Sequence, residues 1–366
     1  MKSMKALLWD GNPYPEGLYM GEAPIPQVKP GWVLIRNIAT GICGSDLHYL
    51  AGGLRHQILD ENLPAVMGHE NAGIVMEIGQ GVEGFSIGDR VVGEPLHACY
   101  AQGIKLCPAC ETGQYHQCDH LGHVGIPARL RLPGGFGEYS LYHQSSLFKI
   151  PDHVSFEEAS VLDVTACGVH AFHLSQVKPG DRVAVFGMGA IGLCVVQCLR
   201  AAGVTEIIGI TPFEYQVSIA RQLGVSEVIS YKLGEDPTPK ILKVAGGVDF
   251  VFEAVGGTAD TMQQAIDICK NGAKIIMLGF FEGERPVNLH KVFLKELSIL
   301  ASDGYSTWGK TREFGLALQM LARKQISHQK MITHIYDKST QWKEGFEAAF
   351  KKQQYQSIKV VLNTPV

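Results

Sequence analysis

The chain is 366 residues long, 46% apolar and 19% charged, with a formal net charge of −4. That length permits two domains, each burying its own core, and the composition is that of a folded globular protein rather than a disordered one. The small negative charge gives no electrostatic reason to expect nucleic acid or an anionic membrane as a partner, and no apolar run reaches the length of a membrane span.

In chain order, residues 1–10 are charged and then briefly apolar, with Asp10 interrupting before a signal-peptide core could form. Gly and Pro then alternate with short apolar runs over residues 32–38 and 72–78, which predicts a β-rich lobe of barrel type up to about residue 150. Four cysteines, Cys99, Cys107, Cys110 and Cys118, fall inside this lobe, two of them as Cys107-Pro108-Ala109-Cys110. Four thiolates at that spacing can close around one tetrahedral Zn²⁺. Disulfides are the alternative, but they need an oxidising compartment. Cys167, Cys194, Cys198 and Cys269 sit in apolar stretches and read as buried thiols, so a reducing cytoplasm is the expected location.

After Pro151 the texture changes. Ser155 and Glu158 form a capping-box signature, which predicts a helix running through Ala171. From Gly180 strands alternate with helices: strand 182–186, helix 190–202, strand 206–210, helix 215–223, then strands 248–252 and 273–278. Such alternation predicts a parallel sheet covered on both faces. It is expected to stop near residue 297, followed by helices over 314–322 and 341–350 and a strand over 358–362. The expected domains are therefore 156–296 for the parallel sheet, and 1–155 together with 297–366 for the β-rich part.

Gly187-Met188-Gly189-Ala190-Ile191-Gly192 follows a predicted strand and opens a predicted helix, the context a dinucleotide fingerprint requires. Gly187 permits the tight turn, Gly189 lets the backbone approach a pyrophosphate, and Gly192 lets helix and strand pack closely. The acid expected at the end of the second strand to bind ribose is replaced by Thr211. A 2′-phosphate would not be repelled there, yet no Arg or Lys follows at once, so NAD and NADP both remain open. A second constellation lies in the β-rich lobe, with Cys43, Ser45, Asp46 and His48 close together and His69-Glu70 further on. Cys and His suit zinc, but spacing alone does not establish that they meet.

These motifs together resemble the zinc-dependent medium-chain dehydrogenases, the alcohol and polyol dehydrogenase family, over essentially the whole chain. The resemblance rests on residues 41–48 (G-I-C-G-S-D-L-H), Gly68-His69-Glu70, Gly88-Asp89-Arg90-Val91-Val92, the cysteine loop, residues 134–139 (G-G-F-G-E-Y) and the glycine fingerprint. It implies an α/β fold: a doubly wound Rossmann sheet plus a β-rich, GroES-like catalytic domain. It implies two zinc ions per subunit, one catalytic and one structural, with NAD or NADP as coenzyme.

By the same resemblance, Cys43, His69 and Asp163 would ligate the catalytic zinc, and Glu70 would be an alternate or water-mediated ligand. Ser45 would hydrogen-bond the reacting oxygen, His48 would pass its proton toward solvent, and Asp46 would orient the site. Ile191 would pack behind the nicotinamide and Lys359 would face the pyrophosphate.

One departure from the family is the seven-residue gap between Cys99 and Cys107, which predicts a protruding loop over residues 100–106. With four thiolates completing the set, His97, His116, His120 and His123 are not expected to ligate the structural zinc. The implied substrate is a small-molecule alcohol or polyol, with a secondary hydroxyl favoured and Tyr305 and Trp308 as candidate pocket groups. Secondary-alcohol or threonine-type dehydrogenases are the alternative. A zinc-free quinone or enoyl reductase, or a non-catalytic nucleotide-binding protein, would be expected to lack Cys43, His69 and an acid at 163. The expected assembly is a homodimer or homotetramer.

Overall fold

A computed structural model describes residues 2–130 and 132–364, in two compact units. The first holds Met1–Asp163, Gly309–Ala322 and Ile332–Val366; the second holds Val164–Trp308 and Arg323–Met331.

The first unit is built on strand Trp32–Ile42, which pairs antiparallel with Glu70–Ile78, Tyr139–His143 and Lys359–Asn363. Its sheet continues outward through Arg90–Gly93 and Leu147–Lys149 on one side and Ile332–Asp337 on the other. Trp9, Leu50, Met67, Phe136, Phe346 and Leu362 are buried together as its main core. Side chains of this size contribute about 1.5–3 kcal/mol each when fully buried. Gly68 lies against that core at a φ of +90°, and a Cβ there would sit 2.8 Å from the Phe136 ring. Glycine is therefore required on both counts, and the turn it makes delivers His69.

The second unit is a six-stranded, wholly parallel sheet in the order Glu227–Ser230, Glu206–Thr211, Arg182–Phe186, Val248–Glu253, Cys269–Met277, Ser298–Ala301. The chain reverses direction of winding between Arg182–Phe186 and Val248–Glu253, and doubly wound sheets bind ligands at such a switch point. Phe186, Val251, Ile266 and Ile275 are fully buried on this sheet's faces.

The alternation runs past residue 297, where it was expected to stop. The sixth strand, Ser298–Ala301, pairs with Cys269–Met277, and the helix before it, Leu289–Leu294, exposes Leu289, Phe293 and Leu294. A six-residue helix with no buried stripe carries no periodic signal. Residues 323–331 also return to this unit rather than staying with the β-rich part. Ser327 N–H donates to Gln197 Oε1 at 2.8 Å, and His328 Nε2 lies 2.7 Å from Thr165 Oγ1.

The Ser155 hydroxyl caps its helix by accepting from Glu158 N–H at 3.1 Å. That helix ends at Ser160, and a second, Leu162–Ser175, follows after a break at Val161. Among the described residues no helix is long and apolar enough to cross a membrane.

Candidate active site and structural metal site

Cys43 is the N-cap residue of helix Gly44–Leu50. Asp46, one turn in, is fully buried, and its Oδ2 accepts from Cys43 N–H at 2.9 Å. Its other oxygen lies 3.2 Å from His69 Nδ1. A carboxylate against Nδ1 favours the proton there and turns Nε2 outward as a donor atom, the arrangement that orients metal-bound histidines. Ser45 Oγ lies 3.3 Å from that Nε2. Burial pulls His69 down, but Asp46 and the Cys43 sulfur outweigh it and hold the imidazole well above its ordinary pKa.

Glu70 opens strand Glu70–Ile78 opposite Gly41. A Cβ on Gly41 would sit 1.9 Å from Glu70 Oε2, so this side chain fits only beside glycine. Lys359 Nζ lies 2.5 Å from the carboxylate and donates to Oε1. Burial raises the Glu70 pKa; Lys359 and His69 oppose the rise and Asp163 adds to it.

Ligand atoms of Cys43, His69 and Glu70 all lie within 4.8 Å of one another. One sulfur, one imidazole nitrogen and one buried carboxylate gathered this closely fit a zinc ion with three protein ligands and one open position. Asp163 stands in the first turn of helix Leu162–Ser175, close enough to act electrostatically on Glu70, but is not one of the three. Ser45 and His48 are three residues apart on helix Gly44–Leu50, hence on one face.

His123 packs edge-on against His69, with ring centroids 5.3 Å apart and planes at 80°. Its Nδ1 is 3.0 Å from Val124 O. Burial, with His69 adding to it, pulls the ring down to about 3, so it is neutral. Nothing in the sequence marked His123 for this site: a histidine five residues past the last loop cysteine, Cys118, has no periodic or spacing signature. Of the candidate pocket groups, Tyr305 is buried and Trp308 stacks on His173 at 4.9 Å.

The sulfurs of Cys99, Cys107, Cys110 and Cys118 also lie within 4.8 Å of one another. Cys99 and Cys118 sulfurs are 3.4 Å apart and those of Cys107 and Cys118 are 3.8 Å apart, and all nine cysteines are free. Zn–S bonds of about 2.3 Å in a tetrahedron place sulfurs about 3.8 Å apart, whereas a disulfide needs about 2.05 Å. Hydrogen bonding from the Cys110 backbone holds the Cys107 thiol down at about 6, while burial pushes the Cys110 and Cys118 thiols up. Only part of the long gap protrudes. Gly103–Leu106 is exposed, but Ala101 is buried and Tyr100 accepts from Arg312 Nη2 at 3.0 Å. Arg312 also pairs with buried Glu94, to which Tyr115 donates at 2.5 Å.

In the second unit Gly187 leaves strand Arg182–Phe186 at a φ of +87°. A Cβ on Gly192 would lie 1.8 Å from Gly187 O, so close packing of helix on strand requires it. A Cβ on Gly189 would meet nothing within 4 Å. That open space before helix Ala190–Ala201 is what an approaching pyrophosphate needs. Ile191 is half-buried in the helix's first turn.

Two expectations need amending. Thr211 is fully buried, and its hydroxyl is spent on Gln216 and on Phe213 N–H rather than turned outward. Lys359 is not open to a phosphate. As the first residue of strand Lys359–Asn363 it pairs with Ile332, it is only 3% exposed, and its ammonium is neutralised by Glu70.

Residues 29–152 match the model of the alcohol dehydrogenase GroES-like domain, and residues 190–323 match that of the zinc-binding dehydrogenases. The chain is 31% identical to (R,R)-butanediol dehydrogenase of Bacillus subtilis, over 98% of this chain and 99% of that one. It is 30% identical to sorbitol dehydrogenase of the same organism, over 86% and 85% of the two chains. The crystal structure of 2R,3R-butanediol dehydrogenase from Bacillus subtilis superposes with a TM-score of 0.85 at 29% identity, covering 99% of this chain and all of that one. Two further solved structures of similar fold carry coenzyme. One is an alcohol dehydrogenase from E. coli CFT073 complexed with NADH (TM-score 0.85, 26% identity, 99% and 100% covered). The other is a zinc-binding dehydrogenase from Sinorhizobium meliloti bound to NADP (TM-score 0.83, 27% identity, 99% and 100% covered).

Proposed function

This chain belongs to the zinc-dependent medium-chain alcohol dehydrogenase family, and from that premise we propose that it oxidises the secondary hydroxyl of a polyol, cyclitol or sugar derivative, with NAD or NADP as acceptor. The observation that carries the reading is the convergence of Cys43, His69 and Glu70 within 4.8 Å, with the Ser45 hydroxyl beside them. When bound, zinc supplies Lewis-acid polarisation of the carbinol oxygen and the nicotinamide supplies the hydride acceptor.

The chain's own residues do the rest. Asp46 fixes Cys43 and His69 through one carboxylate. Ser45 accepts the hydroxyl proton as the carbon loses hydride and passes its own to His48, on the same helix face, which relays it outward. Gly187, Gly189 and Gly192 shape the turn for the coenzyme pyrophosphate, and Ile191 supports the nicotinamide.

Glu70 is the third protein ligand in this reading, and Asp163 acts on it through the field rather than by coordination. Names of the relatives point to diols and polyols, and a cluster with two acidic groups and a serine favours a substrate with several hydroxyls to satisfy it. The edge strand Ser298–Ala301 and the exposed apolar helix before it support self-association as a homo-oligomer.

Two measurements test this. Purified protein is expected to hold two zinc ions per subunit. Glu70→Gln is expected to lose one of them, while Asp163→Asn retains both; the reverse pattern returns Asp163 to the metal. Second, kcat/KM is compared for sorbitol, an inositol, butane-2,3-diol, butan-2-ol and ethanol with both coenzymes. A lead of ethanol or butan-2-ol by about tenfold or more, equivalent to about 1.4 kcal/mol in the transition state, overturns the polyol assignment.

A further inference from the structure

We propose that His123 is a specificity-determining residue: its Nε2 lone pair accepts a hydrogen bond from a second substrate hydroxyl, on the carbon next to the one oxidised. The proposal rests on the zinc-site reading above and names what stands beside that site.

The tautomer of His123 follows from its one hydrogen bond. Val124 O can only accept, so Nδ1, at 3.0 Å, carries the proton and Nε2 is a bare acceptor. His97 offers a direct contrast, because the two lie on paired strands, Leu96–His97 and Gly122–His123. His97 Nδ1 likewise faces a carbonyl, Pro95 O, at 3.1 Å, which leaves Nε2 as acceptor. That Nε2 is used, accepting from His143 N–H at 3.2 Å, and the ring is fully buried and stacked on Trp32 at 5.3 Å. His97 is complete. His123 is only half-buried, and its Nε2 has no hydrogen-bond partner among the described residues. It is also the ring in edge contact with His69, 5.3 Å between centroids.

An acceptor lone pair facing partly solvated space beside the reacting centre selects for a donor. A neutral hydroxyl supplies one. A carboxylate or phosphate oxygen would set lone pair against lone pair, and a methylene would leave the nitrogen unpaired once water is excluded. Sites built to hydrogen-bond a substrate hydroxyl reject the analogue lacking it strongly, which is how one nitrogen can separate a vicinal diol from a mono-alcohol.

The test uses the holoenzyme, its His123→Phe and His123→Gln variants, and two probes, butane-2,3-diol and butan-2-ol. The ratio of kcat/KM for diol over mono-alcohol is expected to fall by at least about tenfold in His123→Phe, the loss of about one hydrogen bond to a buried acceptor, and to recover in part in His123→Gln. Binding of each alcohol to the enzyme–coenzyme complex, followed by nicotinamide fluorescence, is expected to weaken for the diol more than for butan-2-ol. Zinc content of both variants is expected to match the wild type. An unchanged ratio, or equal loss for both alcohols, overturns the role of His123 and leaves the zinc reading intact. Wild-type protein that holds only the cysteine-loop zinc, or oxidises neither alcohol, overturns the zinc-site reading and the proposal with it.

Discussion

Thr211 shows how much a single side chain decides at the coenzyme site. It ends strand Glu206–Thr211 where a strict NAD enzyme would carry an acid, and its hydroxyl is turned inward to Gln216 and Phe213 N–H. Neither coenzyme is attracted or repelled by it, so wild-type preference is expected to stay below about a thousandfold on either side, roughly 4 kcal/mol. Thr211→Asp keeps an acceptor for Phe213 N–H, loses the donor to Gln216, whose amide must turn its N–H₂ inward instead, and adds a charge that repels a 2′-phosphate. The kcat/KM ratio of NADP over NAD is expected to drop by at least about tenfold, a change of about 1.4 kcal/mol. No drop would mean that another group, such as Glu214, does the discriminating.

Lys338 carries a second prediction at this scale. Its buried ammonium donates to Gly135 O at 2.9 Å and Gly137 O at 2.8 Å, and burial pulls its pKa down to about 7, with Glu138 and Asp337 opposing. Both carbonyls keep other donors, Thr40 Oγ1 at 2.9 Å and Asn37 Nδ2 at 3.0 Å. Above pH 7 the folded chain has released a proton that the unfolded chain holds until about pH 10.4. The unfolded state therefore binds more protons in that window, and this site's contribution to stability rises with pH, by at most about 1.4 kcal/mol per unit. Lys338→Met removes the site's pH dependence. Urea midpoints of wild type are expected to gain on those of the variant from pH 7 to pH 9, with the variant the more stable at pH 7. A variant less stable at pH 6 would show that the ammonium's two hydrogen bonds outweigh its burial.

Among the elements, the cysteine loop is held from two directions. Four sulfurs gather inside it, while Tyr100 and Tyr115, which lie between those cysteines, tie it to Arg312 and Glu94. Arg312 sits 5.2 Å from the Tyr115 ring and 5.4 Å from the Tyr100 ring. Cys107→Ser is expected to release the loop zinc and lower Tm by several degrees. A loss of even about 3 kcal/mol moves the midpoint of a unit this size by about 6–12 °C. Zinc analysis and calorimetry check both, and a variant as stable as wild type would assign the loop's order to the tyrosine–arginine contacts alone.

This loop, the glycine turn and the capped helix at Ser155 were all legible in the sequence, because each depends on residues close together in the chain. What was not legible is long-range: the Glu70–Lys359 pair spans 289 positions, and the His69–His123 contact depends on how two loops fold back. Helix Leu289–Leu294 and strand Ser298–Ala301 failed for a different reason. Their apolar side chains face outward, so no burial pattern marks them.

That outward face bears on the molecule as a whole. Ser298–Ala301 ends the parallel sheet with one edge paired to Cys269–Met277 and the other without a partner strand among the described residues. Ile299 is 39% exposed on it, and the helix just before it shows Leu289 at 68%, Phe293 at 78% and Leu294 at 61%. Exposed single hydrophobics are ordinary, but three on one six-residue helix beside an unpaired strand edge are a liability unless something covers them. A second copy does so without any new sequence: two identical edges related by a two-fold axis can pair antiparallel, each supplying the hydrogen bonds the other lacks, and each bringing its apolar helix alongside. Phe293→Asp would put a charge into that face and is expected to weaken association at least about tenfold, since an aromatic at the centre of an interface that acts as a hot spot contributes about 2 kcal/mol or more. The variant should keep its zinc, because Phe293 lies in the coenzyme-type unit and all the metal-ligating candidates lie in the other. Light scattering coupled to size exclusion decides the matter: wild type should run as a dimer or tetramer and the variant should shift toward monomer as it is diluted. Wild type that remains monomeric at all concentrations would leave the edge strand guarded by something other than a second copy, and an oligomer indifferent to Phe293→Asp would place the interface elsewhere on the surface.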